Sequence, residues 1–196
     1  MKRWSTFRCG FRVNAASDAT PVQLRPIART DAALIARLHA ASWRSAYRGI
    51  VLDRYLDGDV FADRLRHWEK RLTESTPDRY GFVACEKGEP VGFSFAFVAE
   101  DAQWGTLIDN LHVLPDRKRS GLGRTLLRAM FKGALERSPS QGVFLWVYEQ
   151  NQPARRFYEQ MGGQPVERAL ARSPDGRDYP EWRYVWRDPA QFVATT

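Results

Sequence analysis

Arg117-Lys118-Arg119-Ser120-Gly121-Leu122-Gly123-Arg124 lies between two unlike stretches. Before it, Leu107 to Val113 reads as a strand that Pro115 ends. After it, Leu122, Leu126, Met130 and Ala134 recur every fourth residue, the stripe of an amphipathic helix over 121–137. A glycine-rich turn that opens a helix aims several backbone N–H groups one way, and the helix dipole adds roughly half a positive charge there. Gly121 and Gly123 remove side chains that would keep an anion off the backbone. Arg117, Lys118, Arg119, Arg124, Arg128 and Lys132 add six cations, with no acid, between 117 and 132. The segment therefore reads as an anion cradle. A Walker A loop is absent, and Leu126 stands where a dinucleotide fingerprint needs glycine, so nucleoside triphosphate and NAD are excluded. On this loop alone, a solvated basic helix start remains the alternative.

A second strand-to-helix junction follows. Val143 to Tyr148 is the apolar, aromatic run of a strand buried on both faces. Asn151 is a good N-cap and Pro153 suits the first turn. Ala154, Phe157, Tyr158 and Met161 fall at helical spacing, and Gly162-Gly163 stops the helix. By spacing alone, Asn151 is a capping residue and Tyr158 packs in the core.

Outward from these junctions, Val22 to Ile27 reads as a strand and Thr30 as the N-cap of a helix carrying Leu34, Ile35, Leu38 and Ala41, with Asp31 in its first turn. A second helical region runs from about Leu52 to Leu72, interrupted near Gly58. Residues 79–86 and Val91, Phe93, Phe95 and Phe97 form a hairpin about the turn Lys87-Gly88-Glu89-Pro90. Two late strands, about 164–170 and 180–187, flank Ser173-Pro174-Asp175-Gly176. The order β-α-α-β-β-β-α-β-α-β-β predicts an α/β (α+β) fold. Its sheet is mixed and mostly antiparallel, with about seven strands, helices on both faces and one parallel βαβ crossover.

Composition bounds the rest. The 196 residues carry a formal charge of +7 and fit a single domain over 21–190 behind a disordered basic extension, 1–20. No run reaches the roughly 18 apolar residues of a membrane span, and the extension lacks the pattern of a secretory signal. Cys9 and Cys85 are too few for a disulfide framework, and three scattered histidines argue against a metal. A reducing, cytoplasmic setting follows.

The two junctions together resemble the GNAT superfamily of acyl-CoA N-acyltransferases, over about residues 22–187. The matching residues are Asp109-Asn110-Leu111-His112-Val113-Leu114-Pro115, the Lys118-x-x-Gly121-x-Gly123 loop, and Asn151-x-x-Ala154-x-x-Phe157-Tyr158-x-x-x-Gly162. Lys118 stands where the family usually has Gln or Arg, and Arg119 where glycine is frequent. The Trp43-x-x-x-Tyr47-x-Gly49 segment is similar to the first-helix region of many bacterial members. The resemblance implies transfer of an acetyl group from acetyl-CoA, as co-substrate, to a primary amine by direct attack in a ternary complex, with no metal. It implies that the pantetheine arm pairs beside Leu111, His112 and Val113 on a fourth strand splayed from the fifth. The pyrophosphate would lie on Lys118, Arg119, Ser120, Gly121, Leu122, Gly123 and Arg124. Asn151 would bond the pantetheine or the helix start, and Tyr158 would protonate the leaving thiolate.

A base matters according to the acceptor. A lysine-like amine of pKa about 10.4 costs about 4.6 kcal/mol to free at pH 7, an α-amine far less. Many members carry a glutamate on the fourth strand where this chain has Leu107. Asp109 is the nearest acid on that strand, and Glu149 is its rival. Trp43 and Tyr47, with Tyr55, are candidate walls for a small-molecule or peptide amine, with Asp53, Asp57 and Asp59 to attract a cation. A non-catalytic acyl-CoA sensor is the competing reading. A nucleic-acid module is disfavoured because no stacking aromatic is interleaved with the basic loop. The oligomeric state is not legible, and a homodimer stays open.

Overall fold

Seven strands form one mixed sheet in the order β1-β2-β3-β4-β5-β7-β6, in a computed structural model that describes residues 22–74 and 76–195. The basic extension at 1–20 lies outside the described residues. The strands are β1 (Gln23–Pro26), β2 (Arg79–Glu86), β3 (Glu89–Asp101), β4 (Gly105–Val113), β5 (Val143–Tyr148), β6 (Gln164–Arg172) and β7 (Asp178–Trp186). The helices are α1 (Ala32–Ala46), α2 (Asp53–Asp57), α3 (Val60–Thr73), α4 (Leu122–Arg137), α5 (Gln152–Gln160) and α6 (Pro189–Thr195). The expected mixed, mostly antiparallel seven-stranded sheet is present. Its one parallel pair is β4 with β5, across the α4 crossover.

Two cores sandwich the sheet. On one face α1 and α3 pack Ile35, Leu38 and the fully buried Trp68 onto Phe93 and Phe95 of β3. On the other, Leu127, Met130 and Phe131 of α4 meet Ile108, Val143, Leu145 and Val147, and Tyr158 of α5 joins them. Strand alternation divides β5 between these faces. Val143, Leu145 and Val147 enter the α4 core, which leaves Trp146 and Tyr148 for the α1–α3 side.

Some local expectations need correction. Thr30 does not cap α1. A short 3-10 turn, Arg29–Asp31, precedes it, and the Asp31 carboxylate turns back to accept from Ala28 N–H (2.7 Å) and Arg25 (2.6 and 2.8 Å). The β2–β3 turn is narrower than Lys87 to Pro90. Lys87 and Gly88 alone turn the chain, both with positive φ (51° and 85°), and Glu89 and Pro90 already belong to β3. Helix α6 was not anticipated, although Asp188 caps it by accepting from Ala190 and Gln191 N–H (3.1 and 3.3 Å). Phe192 seats it against Phe131 of α4.

Two departures from regularity shape the site. β4 pairs with β5 only at Thr106–Val143 and Leu107–Phe144, so beyond Leu107 the two strands part. In the β3–β4 ladder, Phe95 faces Asn110 and Ala96 faces Ile108, which leaves Asp109 as the extra residue of a bulge.

Candidate active site

α4 begins where the chain leaves β4. Gly121, its N-cap, holds φ +87°, and an added Cβ there would meet nothing within 4 Å. No side-chain cap occupies the helix start, so its first-turn N–H groups are left for an outside acceptor. Gly123 has a different reason to be glycine: a Cβ would sit 3.2 Å from the Phe157 ring, so its smallness lets α4 and α5 close up. Around this turn Arg117 is spent on Glu86 and Asp116 (both 3.1 Å), Lys118 reaches Ser45 Oγ (3.4 Å), and Ser120 donates to Arg117 O (2.7 Å). Arg119 and Arg124 are exposed and form no ion pair among the described residues. Arg119 is itself left-handed, φ +64°, where the family often places glycine.

Asn151 caps α5: its Oδ1 accepts from Ala154 N–H at 3.3 Å. Tyr158 is buried between Phe157, Tyr184 and Trp186, with ring centroids 5.2 to 6.1 Å apart. Burial alone pushes its phenol above the ordinary tyrosine range. On β4, Leu111 and Val113 are half-buried. The His112 ring stacks on Phe93 and shares a hydrogen bond with Ser42 Oγ (3.0 Å).

A cavity of about 330 Å³ opens on the α1–α3 face of the β4–β5 gap. Trp43 and Tyr47 line it, joined by Trp146 and Tyr148 of β5, Asp109 and His112 of β4, and Glu181 of β7. Tyr47 and Tyr148 are in edge contact, centroids 5.2 Å apart. Burial first, then Tyr148, Tyr158 and Glu181, raise the Tyr47 phenol.

The acids expected to act are placed differently from one another. Asp109 reaches the cavity, but Arg71 of α3 and the Asn110 amide hold its carboxylate. Glu149 is outside it, chelated by Arg168 (3.0 and 2.9 Å) and bonded by the Trp182 indole (3.0 Å), which bring its carboxyl down to about 2. Asp53 and Asp57 pair with Arg48 (3.2 and 2.6 Å), and Asp59 lines a neighbouring hollow with Asp63 and Asp175. Tyr55 gives its hydroxyl to Asp63.

Sequence reading missed Glu181, Arg64 and Arg71. Glu181 carried a signal: it is an acid inside the aromatic run Tyr179-Pro180-Glu181-Trp182, where strand alternation sets it apart from its bulky neighbours. The arginines lie on α3 and carried none.

Similar proteins support the site's setting. The model of the acetyltransferase (GNAT) family matches residues 36–163. A probable N-acetyltransferase of Mycobacterium tuberculosis is 31% identical over 142 residues, 70% of this chain and 77% of its own length. The GCN5-related N-acetyltransferase structure from Rhodopseudomonas palustris superposes with a TM-score of 0.70 at 21% identity, covering 88% of this chain and 99% of its own. PaiA N-acetyltransferase from Thermoplasma acidophilum, solved with coenzyme A, gives 0.64 at 16%, covering 85% and 99%. The sheet, its parted β4–β5 junction and the glycine turn that opens α4 thus sit in a chain that belongs to the GNAT family of acetyltransferases.

Proposed function

We propose that the protein moves an acetyl group from acetyl-CoA to a primary amine by direct attack in a ternary complex. One observation carries this reading: an uncapped helix N-terminus, opened by a left-handed glycine, stands at the end of a strand whose outer edge has lost its partner. The residues fit the co-substrate. The first-turn N–H groups of α4, with Arg119 and Arg124, suit a pyrophosphate. The unpaired edge of β4 at Leu111 and Val113 suits an extended amide-bearing arm and offers N–H groups to a developing oxyanion. Bound there, acetyl-CoA supplies an activated acyl group. Tyr158 stays protonated through the working pH range and donates to the leaving sulfur. Trp43, Tyr47, Trp146 and Tyr148 supply an aromatic wall for the amine.

Thermal melts with acetyl-CoA test the binding half, because a ligand bound only by the folded state raises Tm by mass action. A panel of α-amino acids, alanyl and methionyl peptides, polyamines and aminosugars, followed by CoA release, tests the transfer. A Tm shift without turnover on any amine supports the sensor reading instead. No shift at millimolar acetyl-CoA overturns both.

A further inference from the structure

We infer that Glu181 is the base that takes the proton of the incoming amine; this rests on the acetyl-transfer reading above. The argument starts from what else faces the cavity. α1 presents His39, with Tyr47 just past its C-terminus, and α3 presents Arg64, His67 and Arg71. β4 presents Asp109 and His112, and β5 presents Tyr148. Arg183 lies two residues along β7, and Asp175 sits on the turn before β7. Tyr47 and Tyr148 are raised by burial and remain phenols. Burial, helped by nearby cations, holds His39 well below its usual value and brings His67 to about 4 and His112 to about 3, too low to hold a proton at neutral pH. Asp109 is ion-paired with Arg71. Asp175 accepts from Leu52 N–H (2.9 Å) and from Tyr179 (2.6 Å).

Glu181 alone among these carboxylates is uncommitted. It forms no ion pair or side-chain hydrogen bond among the described residues. Arg183, its one charged strand neighbour, turns to Glu167 (3.2 Å) and Asp101 (3.6 Å). Glu181 faces Tyr148 in the β5–β7 register, and the fields of Tyr47 and Tyr148 both register its charge. Burial lifts its carboxyl to about 7, against a smaller opposing pull from Arg183. A base poised near the operating pH is half ionised yet strong enough to compete for an ammonium proton. In the step, one N–H bond of the ammonium breaks, the proton passes to a Glu181 oxygen, and the electron pair stays on nitrogen for attack.

The test compares wild type, Glu181→Gln and Asp109→Asn with the best acceptor of the amine panel. Glu181→Gln should lower kcat/KM about 100-fold or more near pH 7, as loss of a positioned base does. The loss should shrink toward pH 10 as free amine accumulates, and the limb with apparent pKa near 7 should vanish. The acetyl-CoA Tm shift should persist in this variant, which separates failure of this assignment from failure of the acetyl-transfer reading. A readout without turnover is the stability itself. A carboxyl raised on folding costs stability as pH climbs from about 4.3 to 7, so Glu181→Gln should raise Tm at pH 8 relative to pH 4.5. A preserved profile in Glu181→Gln, a profile lost in Asp109→Asn instead, or a Tm change equal at both pH values each overturns the assignment.

Discussion

Replacing Tyr158 with phenylalanine keeps the ring in its slot between Phe157, Tyr184 and Trp186 and removes only the hydroxyl. The size of the effect follows from the environment. Tyr158 is 8% exposed, and burial raises its phenol above the ordinary value of about 10. A thiol of pKa about 8.5 is the stronger acid, so complete proton transfer from this phenol to the departing thiolate runs uphill. What the hydroxyl supplies is a hydrogen bond to developing negative charge, worth about 1.5–3 kcal/mol. That is about 10- to 150-fold in kcat at 25 °C. The dissociation constant for acetyl-CoA should change little, because the ring stays. Stability should change little, since the ring keeps its contacts with Phe157, Tyr184 and Trp186. Single-turnover rates and acetyl-CoA titrations on both forms provide the check. An unchanged rate, with chemistry shown to limit turnover, would leave Tyr158 a packing residue.

Gly121→Val should abolish the acetyl-CoA Tm shift at a folding cost of about 1–2 kcal/mol, because φ +87° is left-handed but the space around Cβ is open; a retained shift would place the phosphates elsewhere. Gly123→Ala should cost stability first and affinity second, since Phe157 must give way at 3.2 Å; melts without ligand reveal it. Asp175→Ala should raise KM for the amine and leave acetyl-CoA affinity intact, because it frees the 173–177 turn from Leu52 and Tyr179; an equal change in both constants refutes this. His39 is buried and held well below 6.5, so the unfolded chain binds a proton that the native state does not, and stability falls as pH drops below about 6.5. His39's share of the slope is up to about 1.4 kcal/mol per pH unit, on top of the shares of His67 and His112. His39→Asn can keep an acceptor for the Trp68 indole (3.0 Å in the native pair) and should remove that share of the slope, as urea titrations at pH 6.5 and 5 would show.

The legible parts of this chain are those whose physics is local. The stripe Leu122, Leu126, Met130, Ala134 and the glycine turn before it follow from helix period and φ demands, and the structure has them. Asn151 reads as a cap and is one. The site's electrostatics are not local. Arg71 lies 38 positions from Asp109, and nothing near either residue signals the pair. The bulge that turns Asp109 toward it is visible only in the β3–β4 register. Gly123 reads as space for phosphate, yet its tightest neighbour is the Phe157 ring of α5, 34 positions downstream. Glu181 becomes meaningful once strand order sets β7 beside β5.

The two-pair contact between β4 and β5 divides the sheet into two hydrogen-bonded ribbons, β1-β2-β3-β4 and β5-β7-β6. The first is a meander of sequence neighbours after β2, and its register is set by short connections. The second is longer-range, because β7 must insert between β5 and β6 and zip six residue pairs along β5. Native-state amide exchange should resolve these ribbons as separate opening units joined by the packed face of α4. A ligand lodged in the gap would touch both ribbons, so filling the cleft should couple their opening and slow exchange in both together.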